Sequence, residues 1–121
     1  MYVMEVEKQH DCFGTCPINA TLELLSGKGT LFIVRSLLTG KKRFNEIARE
    51  IGLNPTTLRE RLRELEAEAV VERNVVSTMP PNVEYQLTTK GMALNCIFES
   101  LGDWGRQWMS PPGSEIDKVE V

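Results

Sequence analysis

The chain has 121 residues, 41% of them hydrophobic and 26% charged, with a formal net charge of −3. No apolar run reaches the length of a membrane span, and the acidic N-terminus lacks the form of a signal peptide. An odd set of three cysteines without a secretion signal argues against a disulfide framework, so we expect one soluble cytoplasmic domain with reduced thiols.

The net charge hides a segregation. Residues 1–27 carry −3, residues 28–63 carry +6, and residues 64–98 and 99–121 each carry −3. One basic segment between acidic flanks is the footprint of a local anion-binding surface.

Residues 1–15 lack periodicity and contain Gly14, which predicts a mobile N-terminal arm. Pro17 suits the first position of a helix, where its missing N–H costs nothing. Ile18, Leu22 and Leu25 share a face, and Gly27 ends that helix. Thr30 is the expected cap of a second helix, LFIVRSLLT, which is apolar on most sides and stops at Gly40. FNEIAREI (44–51) then sets Phe44, Ile47, Ala48 and Ile51 at helical spacing. After Gly52 and Leu53, Asn54 and Pro55 form an N-cap and first-turn proline for PTTLRERLRELEAEA. This helix buries Leu58, Leu62, Leu65 and Ala69. Two short helices joined by a tight turn make a helix-turn-helix over 44–69.

The period then changes. VVERNVV (70–76) and VEYQLT (83–88) read as strands around a Pro80-Pro81-Asn82 loop, a β-hairpin in the position of a wing (70–88). Thr88 caps a last helix over 89–108. Its stripe of Leu94, Ile97, Phe98, Leu101, Trp104 and Trp108 faces away from Met92 and Cys96. A helix apolar on two sides needs two partners, and the simplest second partner is another copy of the chain. Residues 109–121 read as a flexible tail. The expected fold is mainly α with a small β-hairpin: a winged helix-turn-helix domain over 16–108 with N- and C-terminal dimerisation helices.

On a helical wheel Thr56, Arg59, Glu60, Arg63 and Ala67 lie opposite Leu58, with Thr57 and Glu64 beside them. Arginine forks onto guanine, threonine contacts thymine methyls or polar edges, and glutamate accepts from cytosine, so this face suits a major groove. Lys41, Lys42 and Arg43 are placed to grip phosphates. Arg61 and Arg63 pairing with the glutamates from Glu64 to Glu68 would be the bland alternative; the charge segregation and the neighbouring elements favour DNA.

The stretches CPINATLELLSGKGTLFIVRSLLTGKKRFNEIAREI, NPTTLRERLRELEAEAVVER and PPNVEYQLTTKG together resemble the HxlR-type family of bacterial and archaeal winged-helix regulators. The resemblance runs from Cys16 to about Trp104. It implies a homodimeric transcription regulator, dimerised through its first and last helices on a roughly palindromic operator. The recognition region maps onto Asn54 to Arg63, and the wing tip onto about Ser77 to Asn82. The expected DNA contacts are therefore Asn54, Thr56, Thr57, Arg59, Glu60, Arg63, Lys41, Lys42, Arg43 and Asn82. The expected dimer interface is Ile18, Leu22, Met92, Cys96, Trp104 and Trp108. Two departures stand out. Gly27-Lys28-Gly29 replaces the usual Gly-Lys-Trp, so that either a cavity opens or a neighbour such as Phe32 fills it. Glu60 stands where glutamine is frequent.

Cys16, as N-cap of the first helix, meets free backbone N–H groups and a dipole that favour a thiolate. The same position is a thiol switch in several quinone- and oxidant-responsive members of that family, with either Cys12 as resolving partner or a bridge from Cys16 to the other subunit; a buried structural cysteine is the competing reading. A metal-responsive regulator using His10, Asp11, Cys12 and Cys16 is one alternative, and a protein–protein docking module is another. No catalytic constellation, cofactor motif or membrane contact is evident. Repression is the default expectation, with any small-molecule effector left open.

Overall fold

The computed structural model describes residues 16–109. The expected arm, with His10, Asp11 and Cys12, lies outside the described residues, as does the expected tail beyond Met109. Cys16 is the N-cap of α1 (Pro17–Leu25), and its carbonyl accepts the Ala20 N–H at 2.9 Å. Of the apolar face of α1, only Leu25 is buried; Ile18 and Leu22 are exposed.

The start of α2 (Thr30–Leu37) differs from expectation. Gly29, not Thr30, is the N-cap, in the left-handed region at φ 82°. A side chain there would be strained, and a Cβ would also lie 2.8 Å from Leu53 Cδ2. Leu53 therefore sits against the position where the family carries tryptophan. Phe32 does not fill it, being 63% exposed. Thr30 turns inward, and its Oγ1 is enclosed without a hydrogen-bond partner among the described residues.

Helices α3 (Phe44–Ile51) and α4 (Pro55–Ala67) form the expected helix-turn-helix. Ile33, Val34 and Leu37 of α2, Ile47 of α3 and Leu58, Leu62 and Leu65 of α4 form the core with Val70, Val71, Tyr85 and Leu87 of the sheet. Asn54 caps α4, its Oδ1 accepting the Thr56 N–H at 2.8 Å. The helix stops at Ala67, earlier than the sequence suggested, and Ala69 is exposed rather than buried. Ala69 adopts φ 61°, the Ala69 N–H reaches Glu66 O, and the Val70 N–H reaches Leu65 O. That pair of bonds is a Schellman stop, built here on alanine where glycine is usual.

The hairpin is longer and tighter than expected. Strand β2 (Val71–Thr78) pairs antiparallel with β3 (Pro81–Leu87), Thr78 opposite Pro81, leaving only Met79 and Pro80 at the tip. Pro81 thus belongs to a strand and not to a loop; at the first residue of β3 its missing N–H is tolerated. An irregularity lies between Val75 and Ser77. A third strand, β1 (Lys42–Arg43), pairs with the other edge of β3. Two residues are too few to show a strand period, so β1 left no sequence signal.

The last helix is divided into α5 (Thr89–Met92) and α6 (Asn95–Trp108). Thr88 caps α5 as expected, its Oγ1 accepting the Gly91 N–H at 3.1 Å. Gly91 lies so close to the start of the sheet that a Cβ would meet Val70 O at 2.3 Å. Beyond it the chain tightens: the Leu94 N–H bonds to Gly91 O at 3.0 Å and the Ile97 N–H to Leu94 O at 2.9 Å, both three residues back. Leu94 and Phe98 rest on the core, whereas no residue of α6 is fully buried. Among the described residues no helix is long and apolar enough to cross a membrane.

Candidate nucleic-acid interface

Helix α4 presents the face the wheel assigned to it. Leu58, Leu62 and Leu65 point into the core, while Thr56, Arg59, Glu60, Arg63 and Ala67 are exposed and Thr57 is half-buried. The arginines of this helix have different surroundings. Arg61 is held: its Nε donates to Lys28 O at 3.2 Å and its Nη1 pairs with Glu64 at 3.3 Å. Arg63 joins no ion pair among the described residues, so the bland alternative applies to Arg61 and not to Arg63. Arg59 is likewise outside every ion pair among those residues, and its guanidinium lies 5.0 Å from the centroid of the Phe44 ring.

The basic run before α3 also divides. Lys41 is exposed, within 3.5 Å of Glu84 across the β1–β3 edge. Lys42 was expected to grip phosphate, but it is turned inward. Its ammonium donates to Ser36 O and Thr39 Oγ1 (2.7 Å) and lies 3.4 Å from Glu50. The reason is electrostatic: the negative dipole end of α2 lies here, and the Ser36 carbonyl, which already accepts from Thr39 Oγ1 at 2.8 Å, gains a charged donor from the lysine on β1. Ser36 Oγ donates to the same Glu50 carboxylate at 2.9 Å, so this cluster ties α2 to α3. Arg43 keeps an exposed side chain, and its N–H donates to Glu46 at 2.7 Å, fixing the first turn of α3.

The hairpin tip carries no cation: Met79 and Pro80 are exposed, and residues 74–89 contain only one charged side chain, Glu84. Ser77 ties the tip together, donating to Pro80 O at 2.9 Å and accepting the Met79 N–H at 3.3 Å. Asn82 is half-buried opposite Ser77, with its Oδ1 enclosed.

A family model for the HxlR-like helix-turn-helix matches residues 24–112. The chain belongs to the HxlR-like helix-turn-helix family. A relative within it is YdeP of Bacillus subtilis (strain 168), an uncharacterised HTH-type transcriptional regulator, 36% identical over 119 residues covering 96% of this chain and 88% of that one. The crystal structure of YtcD, another HTH-type transcriptional regulator from Bacillus subtilis, matches with TM-score 0.75 at 38% identity, covering 78% of this chain and 98% of that chain. The reduced form of the transcriptional regulator YodB from Bacillus subtilis matches with TM-score 0.70 at 38% identity, covering 77% of this chain and 93% of that chain. Its quinone-bound form matches with TM-score 0.69 at 37% identity, covering 77% of this chain and 99% of that one. The winged helix-turn-helix architecture of this HxlR-like chain is thus that of known regulators.

The remaining candidate residues lie away from α4. Cys16 is 2% exposed at the N-terminus of α1, while Cys96 is exposed on α6, its thiol directed at Ala93 O (3.5 Å). Ile18, Leu22, Met92, Trp104 (58% exposed) and Trp108 (65% exposed) are all open to solvent in the single chain. Sequence reasoning missed two roles, Lys42 at the end of α2 and Phe44 beneath Arg59. Both depend on contacts between elements that no local pattern records.

Proposed function

We propose that this helix-turn-helix transcriptional regulator represses by binding a roughly palindromic operator as a homodimer, with α4 of each copy in a major groove. The observation that carries the reading is the outward face of α4. Thr56, Arg59 and Arg63 are exposed, the two arginines are free of carboxylate partners among the described residues, and the helix is braced from behind by the core. Asn54 contributes by capping the helix that carries the readers, Thr57 and Glu60 flank them, and Lys41 and Arg43 supply phosphate contacts at one end. Asn82, next to the wing tip, is a further candidate for DNA contact. The neutral tip supplies contact other than charge.

Dimerisation is supported by apolar surface that one chain leaves bare. Ile18 and Leu22 of α1 and Leu101, Trp104 and Trp108 of α6 are each about half exposed or more. Aromatic exposure on this scale marks an association surface. Met92 and Cys96 would lie at its margin.

Cys16 is the proposed oxidation switch, a reading supported by its cap position and by the quinone-bound form of YodB. Its burial requires the groups that cover the sulfur to give way before an oxidant or electrophile reaches it.

The test is selection of genomic DNA fragments by the purified full-length protein, reduced and after diamide, with sedimentation of the same samples. Recovery of one inverted-repeat motif by a dimer, lost on oxidation, is the expected result. Failure to enrich any motif would overturn the DNA reading. Unchanged enrichment with Cys16 demonstrably oxidised would remove only the switch.

A further inference from the structure

We propose that Phe44 is a positioning residue for Arg59, so that a residue of the core-facing helix α3 determines how strictly α4 reads its base. This rests on the reading of α4 as the DNA-facing helix. Phe44 is the first residue of α3, half-buried, with part of its ring packed against the core. The Arg59 guanidinium lies 5.0 Å from the ring centroid, a cation–π distance.

The geometry distinguishes Arg59 from its neighbours. Arg61 is consumed by Lys28 O and Glu64, and Arg63 has no tether among the described residues. Arg59 alone of the three combines an exposed guanidinium with a fixed platform that leaves its five N–H donors unoccupied. Stacking uses the face of the guanidinium, while recognition of guanine uses its edge. The two are compatible at once. A side chain held in this way loses less rotamer freedom on binding, and an arginine carries as much of that freedom as any residue. The ring also limits the directions in which the fork can point, which favours one base position over its neighbours.

Phe44 is fixed in turn by its place in the fold. It follows β1, whose Arg43 pairs with Glu84 of β3, and the Arg43 N–H is held by Glu46. The platform is therefore tied to the sheet as well as to the core, and the arginine inherits the rigidity of both.

The experiment is a double-mutant cycle on a duplex carrying the motif recovered by genomic selection. Phe44→Leu, Arg59→Ala and the double variant are titrated, each first checked by circular dichroism and by its melting curve. An exposed cation–π contact predicts that Phe44→Leu weakens binding about two- to fivefold. The loss should vanish in the Arg59→Ala background, and the salt slope should not change. Phe44→Trp, with the stronger π face, should restore binding, and Phe44→Leu should also relax selection at the one base position that Arg59→Ala relaxes. A Phe44→Leu loss of equal size with and without Arg59 would overturn the proposal, as would full binding by a folded Phe44→Leu protein. If Arg59→Ala and Arg63→Ala themselves bind normally, it is the DNA-facing assignment of α4 that has failed.

Discussion

Arg61 and Arg63 differ by two positions in α4, and their substitution by alanine is expected to separate stability from DNA binding. Arg61 is the more deeply set, with a side chain 20% exposed. Its removal deletes a charge-assisted bond to Lys28 O at 3.2 Å, worth about 1.5 kcal/mol at the lower end of its class. It also deletes the pair with the half-exposed Glu64, about 0.5 kcal/mol. The alkyl stem runs past Gly27, where Arg61 Cδ lies 3.1 Å from the point a Cβ would occupy, and its packing adds up to about 1 kcal/mol. Arg61→Ala should therefore cost about 2–3 kcal/mol in urea denaturation at fixed protein concentration, with operator affinity close to native wherever the protein remains folded. Arg63→Ala removes no hydrogen bond or ion pair among the described residues and should stay within about 0.5 kcal/mol of native stability. Its operator affinity should fall by about five- to 150-fold, the worth of one good base contact. An Arg63 variant that melts early, or an Arg61 variant that is stable yet blind to the operator, would refute the division of labour.

The basic run should divide in the same way. Lys41→Ala is expected to leave the melting curve unchanged and to lower the salt slope of operator binding by about one. Lys42→Met should destabilise by about 1–3 kcal/mol, because the Ser36 carbonyl at the end of α2 loses its charged donor. Ala69→Gly should raise stability by about 1 kcal/mol in the same denaturation assay, relieving an alanine held at φ 61°; a loss of stability would show that Ala69 is not strained. Gly29→Trp, which restores the aromatic usual in the family, should destabilise by at least about 1–2 kcal/mol through its positive φ and the clash with Leu53. Leu53→Ala in the same chain should recover part of that loss, and failure to do so would dissociate the two residues.

Much of this arrangement could be read from the chain. The spacing of Leu58, Leu62 and Leu65 oriented α4 correctly because a helix needs only local periodicity to reveal its buried face. Cys16-Pro17 and Asn54-Pro55 marked two helix starts because capping is a property of adjacent residues. The errors fell where distant segments decide. Alanine at 69 gave no glycine to mark the stop of α4, and Thr30 resembled a cap until the backbone at Gly29 turned it inward. Lys42 looked like one more phosphate contact in a basic run. Only the end of α2, brought alongside by the fold, makes it a capping residue.

The turn at Ala93–Leu94 divides the C-terminal segment into a part fastened closely to the domain and a part held to its core through Leu94 and Phe98. Thr88, Gly91 and Lys90, whose ammonium reaches Glu68 O at 2.7 Å, lock α5 to the end of α4 and the start of β2. Past the turn, α6 has no fully buried residue to constrain its sequence. Apart from Phe98, substitutions over 95–109 thus change what α6 presents to its surroundings while α4 stays as it is. A chain built in this way can drift along its C-terminal helix without disturbing how α4 is held.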